Sequence, residues 1–262
     1  MIYDTILLDL NDDVATITLN RPDKLNALTP RVFDEATAAI DHAIAQGARA
    51  LVLTGAGKAF CSGADLKPDD YGYAGLPDDL GELLDTHYNP FVLKLAGLDI
   101  PVISAINGPA VGAGLGIALT ADIIVAARSA YMLLAFVNIG LVPDAGATWL
   151  VAKGVGRVKA LEMALLGERI SADEAAQAGL ITRVVDDEIA LAEARAIARK
   201  LASGPTVAIG MIRKQVAAAL VQSFEDSLAT ERANQTVAGR TADFRESIAA
   251  FAEKRPPVFK GS

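Results

Sequence analysis

Residues 101–125 (PVISAINGPAVGAGLGIALTADIIV) constrain the fold of this chain more than any other segment. The apolar run Val102–Ile106 predicts a buried strand, and an Asn-Gly-Pro turn follows it. A glycine-rich elbow at residues 112–116 then opens into an apolar helix. Small residues let a ligand approach the backbone, and the first N–H groups of a helix have no intrahelical acceptor. The elbow is therefore a place where negative charge can be stabilised.

Composition limits the class of protein. The chain has 262 residues, 52% of them hydrophobic, which allows one large core. A net charge of −8 argues against a nucleic-acid partner, because a phosphate polymer requires a basic face. The single cysteine, Cys61, permits no disulfide within the chain. The N-terminus lacks a signal-peptide pattern, and Thr120 and Asp122 interrupt the longest apolar tract. We therefore expect a cytoplasmic protein without membrane contact.

The periodicity predicts an α/β core followed by helices. Residues 2–10 and 14–19 alternate like a β-hairpin, and Thr29-Pro30 predicts the start of a helix. Further strands are expected at residues 50–54, 102–106 and 123–127, whereas residues 66–84, rich in Gly, Pro and Asp, predict a loop. We expect a core domain at residues 1–200 and a helical region at 201–262. The helical region has apolar faces that the core or another subunit would have to cover.

Two predicted loops combine small residues with free main-chain N–H groups. Residues 60–66 (FCSGADL) follow the strand at 50–54, and residues 112–116 follow the strand at 102–106. Ligands of α/β sheets bind beyond the carboxyl ends of strands, and two converging N–H groups can form an oxyanion hole. A dinucleotide-binding elbow is the alternative. The G-x-G-x-G spacing and the lack of an acidic strand end about 20 residues later disfavour it.

Four ordered motifs and the C-terminal segment carry a resemblance to a known family. They are NRPDKLNAL (20–28), GKAFCSGADL (57–66), INGPAVGAGLGIALTADI (106–123), IGLVPDAGAT (139–148) and FAEKRPPVFKG (251–261). Together they resemble the crotonase superfamily of enoyl-CoA hydratases and isomerases. The resemblance implies a ClpP-like spiral of ββα units with a C-terminal helical trimerisation region, assembled as a homotrimer or a dimer of trimers. It also implies an acyl-CoA thioester substrate. Coenzyme A is part of that substrate, so we expect no separate cofactor and no metal.

The resemblance also assigns site residues. By motif position, the oxyanion-hole N–H groups would be those of Ala64 and Ala113. The residues expected to contact substrate or CoA are Lys24, Leu25, Ser62, Gly63, Asp65, Leu66, Gly112, Phe136, Lys254 and Lys260.

The departures from the hydratase pattern single out one carboxylate. Hydratases of the superfamily place one glutamate where this chain has Gly116 and a second where we align Phe136. One branch of enoyl-CoA isomerases instead carries its single acidic residue at the position of Asp144. The segment AFVNIGLVPDAGATW is similar to the phenylacetate-pathway isomerase subgroup. A lone carboxylate in an apolar pocket can remove a proton and return it elsewhere, because burial raises its pKa. We therefore expect an enoyl-CoA isomerase that uses Asp144.

Several alternatives remain open at this point. Asp144 could cap a helix that begins near Ala145. Cys61 could be a nucleophile, although a small buried side chain is the simpler interpretation. The chain could catalyse hydration or isomerise a ring or epoxide acyl-CoA through the same enolate chemistry. It could also be a catalytically silent acyl-CoA-binding homologue, since Gly116 and Phe136 replace both hydratase carboxylates.

Overall fold

The computed structural model describes residues 2–66 and 77–262, which form a mixed α/β fold. The strands are β1 (Ile6–Asn11), β2 (Val14–Leu19), β3 (Ala50–Gly55), β4 (Val102–Ile106), β5 (Ala110–Val111), β6 (Ile123–Ala127), β7 (Tyr131–Leu133), β8 (Ile170–Ser171) and β9 (Arg183–Val185). The α-helices are α1 (Pro30–Ala45), α2 (Leu80–Leu83), α3 (Asn89–Gly97), α4 (Ala113–Leu119), α5 (Ala147–Leu166), α6 (Ala172–Gln177), α7 (Ala190–Ala202), α8 (Thr206–Ala219), α9 (Phe224–Ala238) and α10 (Ala242–Glu253).

The main sheet has the strand order β1-β2-β3-β4-β6-β9. β1 and β2 form the predicted antiparallel hairpin, and all other neighbours in this sheet are parallel. Because β3 and β4 are parallel neighbours, the loops that follow them leave the same edge of the sheet. A second sheet, β5-β7-β8, lies further along the chain. The two loops predicted to act together therefore begin side by side.

Helices cover both faces of the main sheet. Arg195 of α7 donates a hydrogen bond to Thr16 Oγ1 in β2, whereas Ile17 lines a small apolar cavity with Val32 and Phe33 of α1. Adjacent strand residues face opposite sides, so α1 and α7 lie on opposite faces. The face of α7 toward the sheet consists of alanines at four-residue spacing, all buried: Ala190, Ala194, Ala198 and Ala202. Such small side chains allow the helix to pack closely against the sheet.

Most predicted elements are confirmed, and the differences occur at their ends. The strands at 14–19, 102–106 and 123–127 have the predicted bounds, whereas β1 begins only at Ile6. The expected loop at 66–84 is wrong at its end, because Leu80–Leu83 is α-helical and Leu84–Tyr88 continues it as a π-helix. The Asp79 side chain accepts a hydrogen bond from Gly81 N–H and so caps this helix. Residues 67–76 of the expected loop lie outside the described residues.

The C-terminal helices attach to the amino edge of the main sheet. Arg49, directly before β3, donates to the carbonyl of Gly204 (2.6 Å). Arg213 of α8 pairs with Asp122, directly before β6 (2.8 Å). Beyond these anchors, α8, α9 and α10 expose large apolar side chains, among them Val216, Phe224, Ile248 and Phe251. The predicted division at residue 200 and the predicted homotrimer or dimer of trimers stay predictions.

In the described parts of the chain, no helix is both long enough and apolar enough to cross a bilayer. The cytoplasmic location stays a prediction.

Candidate active site

Two short parallel bridges hold the loop at residues 60–66. On one side Cys61 pairs with Ala110, through Cys61 N–H to the Pro109 carbonyl (3.1 Å) and Val111 N–H to the Cys61 carbonyl (2.9 Å). On the other side Leu28 pairs with Ala64. The loop after β3 is therefore fixed between the segment before α1 and the segment before α4.

The bridge to Leu28 determines the direction of the Ala64 N–H. Leu28 N–H donates to the Gly63 carbonyl (2.8 Å), and Asp65 N–H donates to the Leu28 carbonyl (2.9 Å). In a trans peptide the N–H points away from the carbonyl of the same unit. The Ala64 N–H therefore points away from Leu28, and among the described residues it donates no hydrogen bond.

The elbow before α4 orients a second N–H group by the same logic. Gly112 N–H donates to the Leu133 carbonyl (2.8 Å), and its own carbonyl accepts from Leu115 (3.0 Å) and Gly116 (3.2 Å). The Gly112 carbonyl thus points into the helix, so the Ala113 N–H points out of its N-terminus. Within the described ranges this N–H group also donates no hydrogen bond. It lies at the positive end of the α4 dipole.

Glycines bring the two loops together. A Cβ on Gly63, whose φ is +93°, would lie 3.1 Å from the Val111 carbonyl oxygen and 3.8 Å from Ala113 N. A Cβ on Gly112 would lie 3.9 Å from the Gly63 Cα and 3.7 Å from the ring of Phe136. The buried Phe136 ring therefore lies directly beside the elbow. Two N–H groups on adjacent backbones, both without an acceptor in the described residues, can together donate hydrogen bonds to a developing oxyanion.

Asp144 lies in a tight turn before α5. Its neighbours Ala145 (φ +48°) and Gly146 (φ +76°) both have left-handed backbone conformations. Oδ1 of Asp144 is buried and has no hydrogen-bond partner in the described part of the chain. This burial raises the pKa of Asp144 to about 6, because the charged form loses solvation. A carboxyl with that pKa can both accept and return a proton near neutral pH.

The alternative role of Asp144 as a helix cap is wrong. The cap residue of α5 is Gly146, and no side chain caps this helix. It is the main-chain carbonyl of Asp144 that accepts the Ala147 N–H (2.9 Å). Its carboxylate is therefore not occupied by the first turn of the helix.

The turn that carries Asp144 packs directly on α4. A Cβ on Gly116 would lie 2.6 Å from the Ala145 carbonyl oxygen and 3.1 Å from the Ala145 Cβ. Gly116 is three residues beyond Ala113, which is about 4.5 Å along a helix. The Asp144 turn thus lies within one helical turn of the elbow. It occupies the space that a side chain at position 116 would need.

Four of the residues expected to contact substrate or CoA lie in or beside the loop at residues 60–66. Ser62 N–H donates to the Leu25 carbonyl (3.0 Å), and Ser62 Oγ donates to the Lys24 carbonyl (3.4 Å). Leu25 and Leu66 are 47% and 49% exposed. The structure therefore brings Lys24 and Leu25 together with Ser62, two residues before Ala64, and leaves Leu66 exposed at the end of the same loop.

Asp65 and Lys260 both bond to other parts of the chain. The Asp65 carboxylate, expected among the substrate contacts, is buried and pairs with Arg21 (3.0 Å). Lys260 lies at the opposite edge of the sheet: its N–H bonds Asp243, and the adjacent Phe259 carbonyl accepts from Arg49, directly before β3. Six strand residues span about 20 Å, so Lys260 lies far from the two N–H groups of its own chain, and its contact with CoA stays a prediction.

Lys254 also belongs to the C-terminal region rather than to the two loops. It ends α10 in a left-handed conformation, and its N–H donates to the Phe251 carbonyl (3.2 Å). The structure shows no bond between it and the loops in the described residues. A role of Lys254 in CoA binding stays a prediction.

Cys61 is unsuited to nucleophilic chemistry. It is completely buried, and burial raises the pKa of its thiol to about 12. A Cβ on Gly114 would lie 2.6 Å from its Sγ, so the thiol packs against the first turn of α4. The interpretation as a small buried side chain therefore fits. The described residues also contain no cluster of side chains able to hold a metal.

Two side-chain amides that the sequence analysis did not single out, the buried Asn26 and the partly buried Asn107, shape the site. Asn26 Nδ2 donates to the carbonyls of Ala56 (2.9 Å) and Ala59 (2.8 Å), and its Oδ1 accepts from Arg21 N–H (2.9 Å). Asn107 Nδ2 donates to the Gly57 carbonyl (3.0 Å). Their positions in the NRPDKLN and INGP motifs could have indicated this role, because the side chain of an asparagine in a turn often bonds to nearby main-chain groups.

Comparison with known proteins identifies the family. The enoyl-CoA hydratase/isomerase family model matches residues 9–262. The chain belongs to this family. It is 43% identical over 261 residues to the 1,2-epoxyphenylacetyl-CoA isomerase of Escherichia coli, covering 98% of each chain. It is 44% identical over 261 residues to a probable enoyl-CoA hydratase of Rhodobacter capsulatus, covering 100% of each.

Solved structures confirm the crotonase fold. The enoyl-CoA hydratase of Bacillus anthracis has a TM-score of 0.92 at 32% identity, covering 99% of this chain and 100% of the other. That of Mycobacterium smegmatis has a TM-score of 0.88 at 30% identity, covering 98% and 99%. The predicted spiral crotonase fold and the resemblance to the phenylacetate-pathway subgroup are therefore confirmed. The relatives are named both as isomerases and as hydratases.

Proposed function

We propose that this crotonase family member is an enoyl-CoA isomerase-type enzyme in which Asp144 moves the proton and the N–H groups of Ala64 and Ala113 bind the thioester oxygen. One observation carries the proposal. The Asp144 carboxyl has a buried oxygen without a partner in the described residues and a pKa raised to about 6, and the turn that carries it packs on Gly116 of α4. A group with these properties is suited to proton transfer near neutral pH.

The reaction follows from one base and one oxyanion site. For a 3-enoyl-CoA, the Asp144 carboxylate removes a proton from C2, and the electron pair delocalises onto the thioester oxygen. The two N–H groups stabilise this dienolate, and loss of one such donor typically raises the barrier by about 3–4 kcal/mol. The Asp144 carboxylic acid then returns the proton to C4. The double bond moves from C3–C4 to C2–C3, and the enzyme regains its carboxylate.

The same geometry disfavours hydration. Addition of water needs a second group to hold and activate the water, and hydratases of the superfamily use a pair of glutamates for this. Here Gly116 packs against the Ala145 carbonyl, and the buried Phe136 ring lies against the elbow. Neither position can supply a carboxylate. A single carboxylate is sufficient for a proton shift.

Isomerisation of an epoxide or ring acyl-CoA is a second candidate. The 43% identical relative from Escherichia coli is named a 1,2-epoxyphenylacetyl-CoA isomerase, and the likeness spans nearly both chains. Such a reaction would use the same N–H pair to stabilise negative charge on the thioester. The reacting group of the acyl chain, an epoxide or a carbon–carbon double bond, therefore distinguishes the two candidate reactions.

Three measurements test the proposal. The protein is incubated with a 3-enoyl-CoA while the absorbance of the conjugated 2-enoyl product is followed. In parallel, exchange of solvent deuterium into the acyl carbons is measured by mass spectrometry, and 1,2-epoxyphenylacetyl-CoA is tried as a substrate. We expect exchange in the wild type and none in Asp144→Asn, with CoA-ester binding retained in both.

A matched control is Asp12→Asn, the same chemical change in the exposed β1–β2 turn, which should keep the wild-type rate. Binding without any exchange in the wild type would instead identify a catalytically silent homologue. A near-normal rate in Asp144→Asn would refute the role of this carboxylate.

A further inference from the structure

We infer that the buried ion pair between Arg21 and Asp65 is a positioning device for the oxyanion hole, which aims the Ala64 N–H at the thioester oxygen. The inference rests on the proposed function, because it concerns the N–H pair that the proposed reaction uses. The Asp65 carboxylate, expected from the sequence among the substrate contacts, instead faces Arg21 and is only 6% exposed. Both side chains act through the main chain of their neighbours.

The first step is the orientation of one peptide unit. The Ala64 N–H belongs to the unit whose carbonyl, that of Gly63, is held by Leu28 N–H at 2.8 Å. Rotation of this unit would turn the N–H away from the site and break that bond. The direction of the Ala64 N–H therefore depends on the position of Leu28 relative to residues 63–65.

The second step is that Arg21 spans this bridge. Its Nη1 donates to the carbonyl of Ala27, the residue before Leu28 (2.6 Å). Its Nη2 pairs with Oδ2 of Asp65, the residue after Ala64 (3.0 Å). One rigid guanidinium thus connects the two segments that the Leu28–Ala64 bridge pairs. A planar guanidinium with two donating nitrogens fixes the relative position of these two segments better than the flexible ammonium group of a lysine could.

The ion pair between Arg21 and Asp65 is also buried. The side chains of Arg21 and Asp65 are only 14% and 6% exposed. Water therefore screens the pair weakly, and removal of one charge would leave the other buried without its counterion. The segment would then rearrange to hydrate the remaining charge. Because Asp65 is adjacent to Ala64, the rearrangement would occur at the oxyanion donor itself.

A competing explanation is that the positive charge of Arg21 stabilises the enolate directly. The two explanations predict opposite signs. If charge is decisive, Asp65→Asn would raise the rate because it leaves Arg21 uncompensated, and only Arg21→Met would lower it. If position is decisive, both variants lower the rate, and so does Arg21→Lys, which keeps the charge but loses the fork.

The test compares these variants with a matched ion pair elsewhere. Asp122→Asn breaks the pair of Arg213, whose side chain is 7% exposed, at the amino edge of the sheet. Each variant is checked for folding by circular dichroism and assayed for kcat and KM. The infrared frequency of a ¹³C-labelled thioester carbonyl in a bound acyl-CoA measures how strongly the oxyanion hole polarises that carbonyl. This measurement does not depend on turnover or on Asp144.

We expect Asp65→Asn, Arg21→Met and Arg21→Lys to lower kcat about tenfold to a hundredfold, because small displacements of catalytic groups have effects of this size. KM should change less than kcat, and the carbonyl band should lose much of its shift to lower frequency. Asp122→Asn should keep the wild-type kcat and the wild-type frequency of the carbonyl band. Should the single variants not fold, the double variant Arg21→Met/Asp65→Leu removes both charges and should still lose the band shift.

Wild-type kcat and an unchanged band in folded Asp65→Asn would overturn the inference, as would equal losses in Asp122→Asn. A shifted band in the wild type without isomerisation would refute the proposed proton transfer and leave the positioning role intact. The two failures are therefore distinguishable.

Discussion

Replacement of Asp144 by Asn should abolish catalysis and at the same time stabilise the protein above pH 6. Burial raises the pKa of Asp144 from 3.8 to about 6. Up to about pH 6 the folded protein keeps this carboxyl protonated, whereas the unfolded chain loses the proton near pH 4. Between these values the folded state binds more protons, so a rise in pH lowers the free energy of unfolding.

The magnitude follows from the shift. A difference of about two pKa units corresponds to about 3 kcal/mol at pH 8. Asp144 is only partly buried, and solvent at its other oxygen reduces the expected gain to about 1–2 kcal/mol. Asn has the same shape and no charge, so it should recover this energy at pH 8 and progressively less as the pH falls to 4.5.

Urea denaturation of the wild type, Asp144→Asn and the control Asp12→Asn at pH 8, 6 and 4.5 measures this difference. The control should show no gain that changes with pH. An Asp144→Asn protein that is less stable than the wild type at pH 8, or whose gain grows toward low pH, would show that burial does not penalise this carboxylate.

Three further predictions concern the same site. Gly116→Ala should lower kcat/KM at least about tenfold and destabilise the fold by about 1–3 kcal/mol, because its Cβ would lie 2.6 Å from the Ala145 carbonyl oxygen; Gly97→Ala, which has open space, is the control and should be neutral in both assays. The pH profile of kcat/KM should fall below about pH 6 and level off above it, since Asp144 must be ionised to act as a base. Cys61, buried and with a thiol pKa near 12, should react with a thiol reagent only as fast as the protein unfolds, and labelling at the rate of a free thiol would contradict the structure.

The sequence predicted the features that depend on local pattern. Alternation and apolar runs placed β2, β4 and β6 at their observed bounds. The positions of Ala64, Ala113 and Asp144 followed from ordered motifs. These motifs work because each one specifies a strand end, a turn and a helix start within a few residues, and such geometry is encoded locally.

What depends on long-range contacts was not predictable in the same way. Arg21 and Asp65 are far apart along the chain, and nothing in either motif indicates that one guanidinium connects Ala27 to Asp65. The position of Lys260 also depends on long-range contacts. Its sequence context suggested an anion contact, but the anchors of Arg49 and Arg213 place the C-terminal helices at the amino edge of the sheet. Charge alone does not determine which edge a helix packs against.

The contact between Gly116 and Ala145 explains why a lone carboxylate is found in the turn rather than on α4. Ala145 is buried and has a left-handed φ of +48°, a conformation that costs a non-glycine residue about 1 kcal/mol or more. In this conformation its carbonyl lies against Gly116, and Asp144 is the residue directly before this contact. A glutamate at position 116 would displace the turn, and with it Asp144. The two carboxylate positions therefore exclude each other in this backbone arrangement, so Gly116→Glu alone should not create a hydratase but should remove the proton carrier of the isomerase.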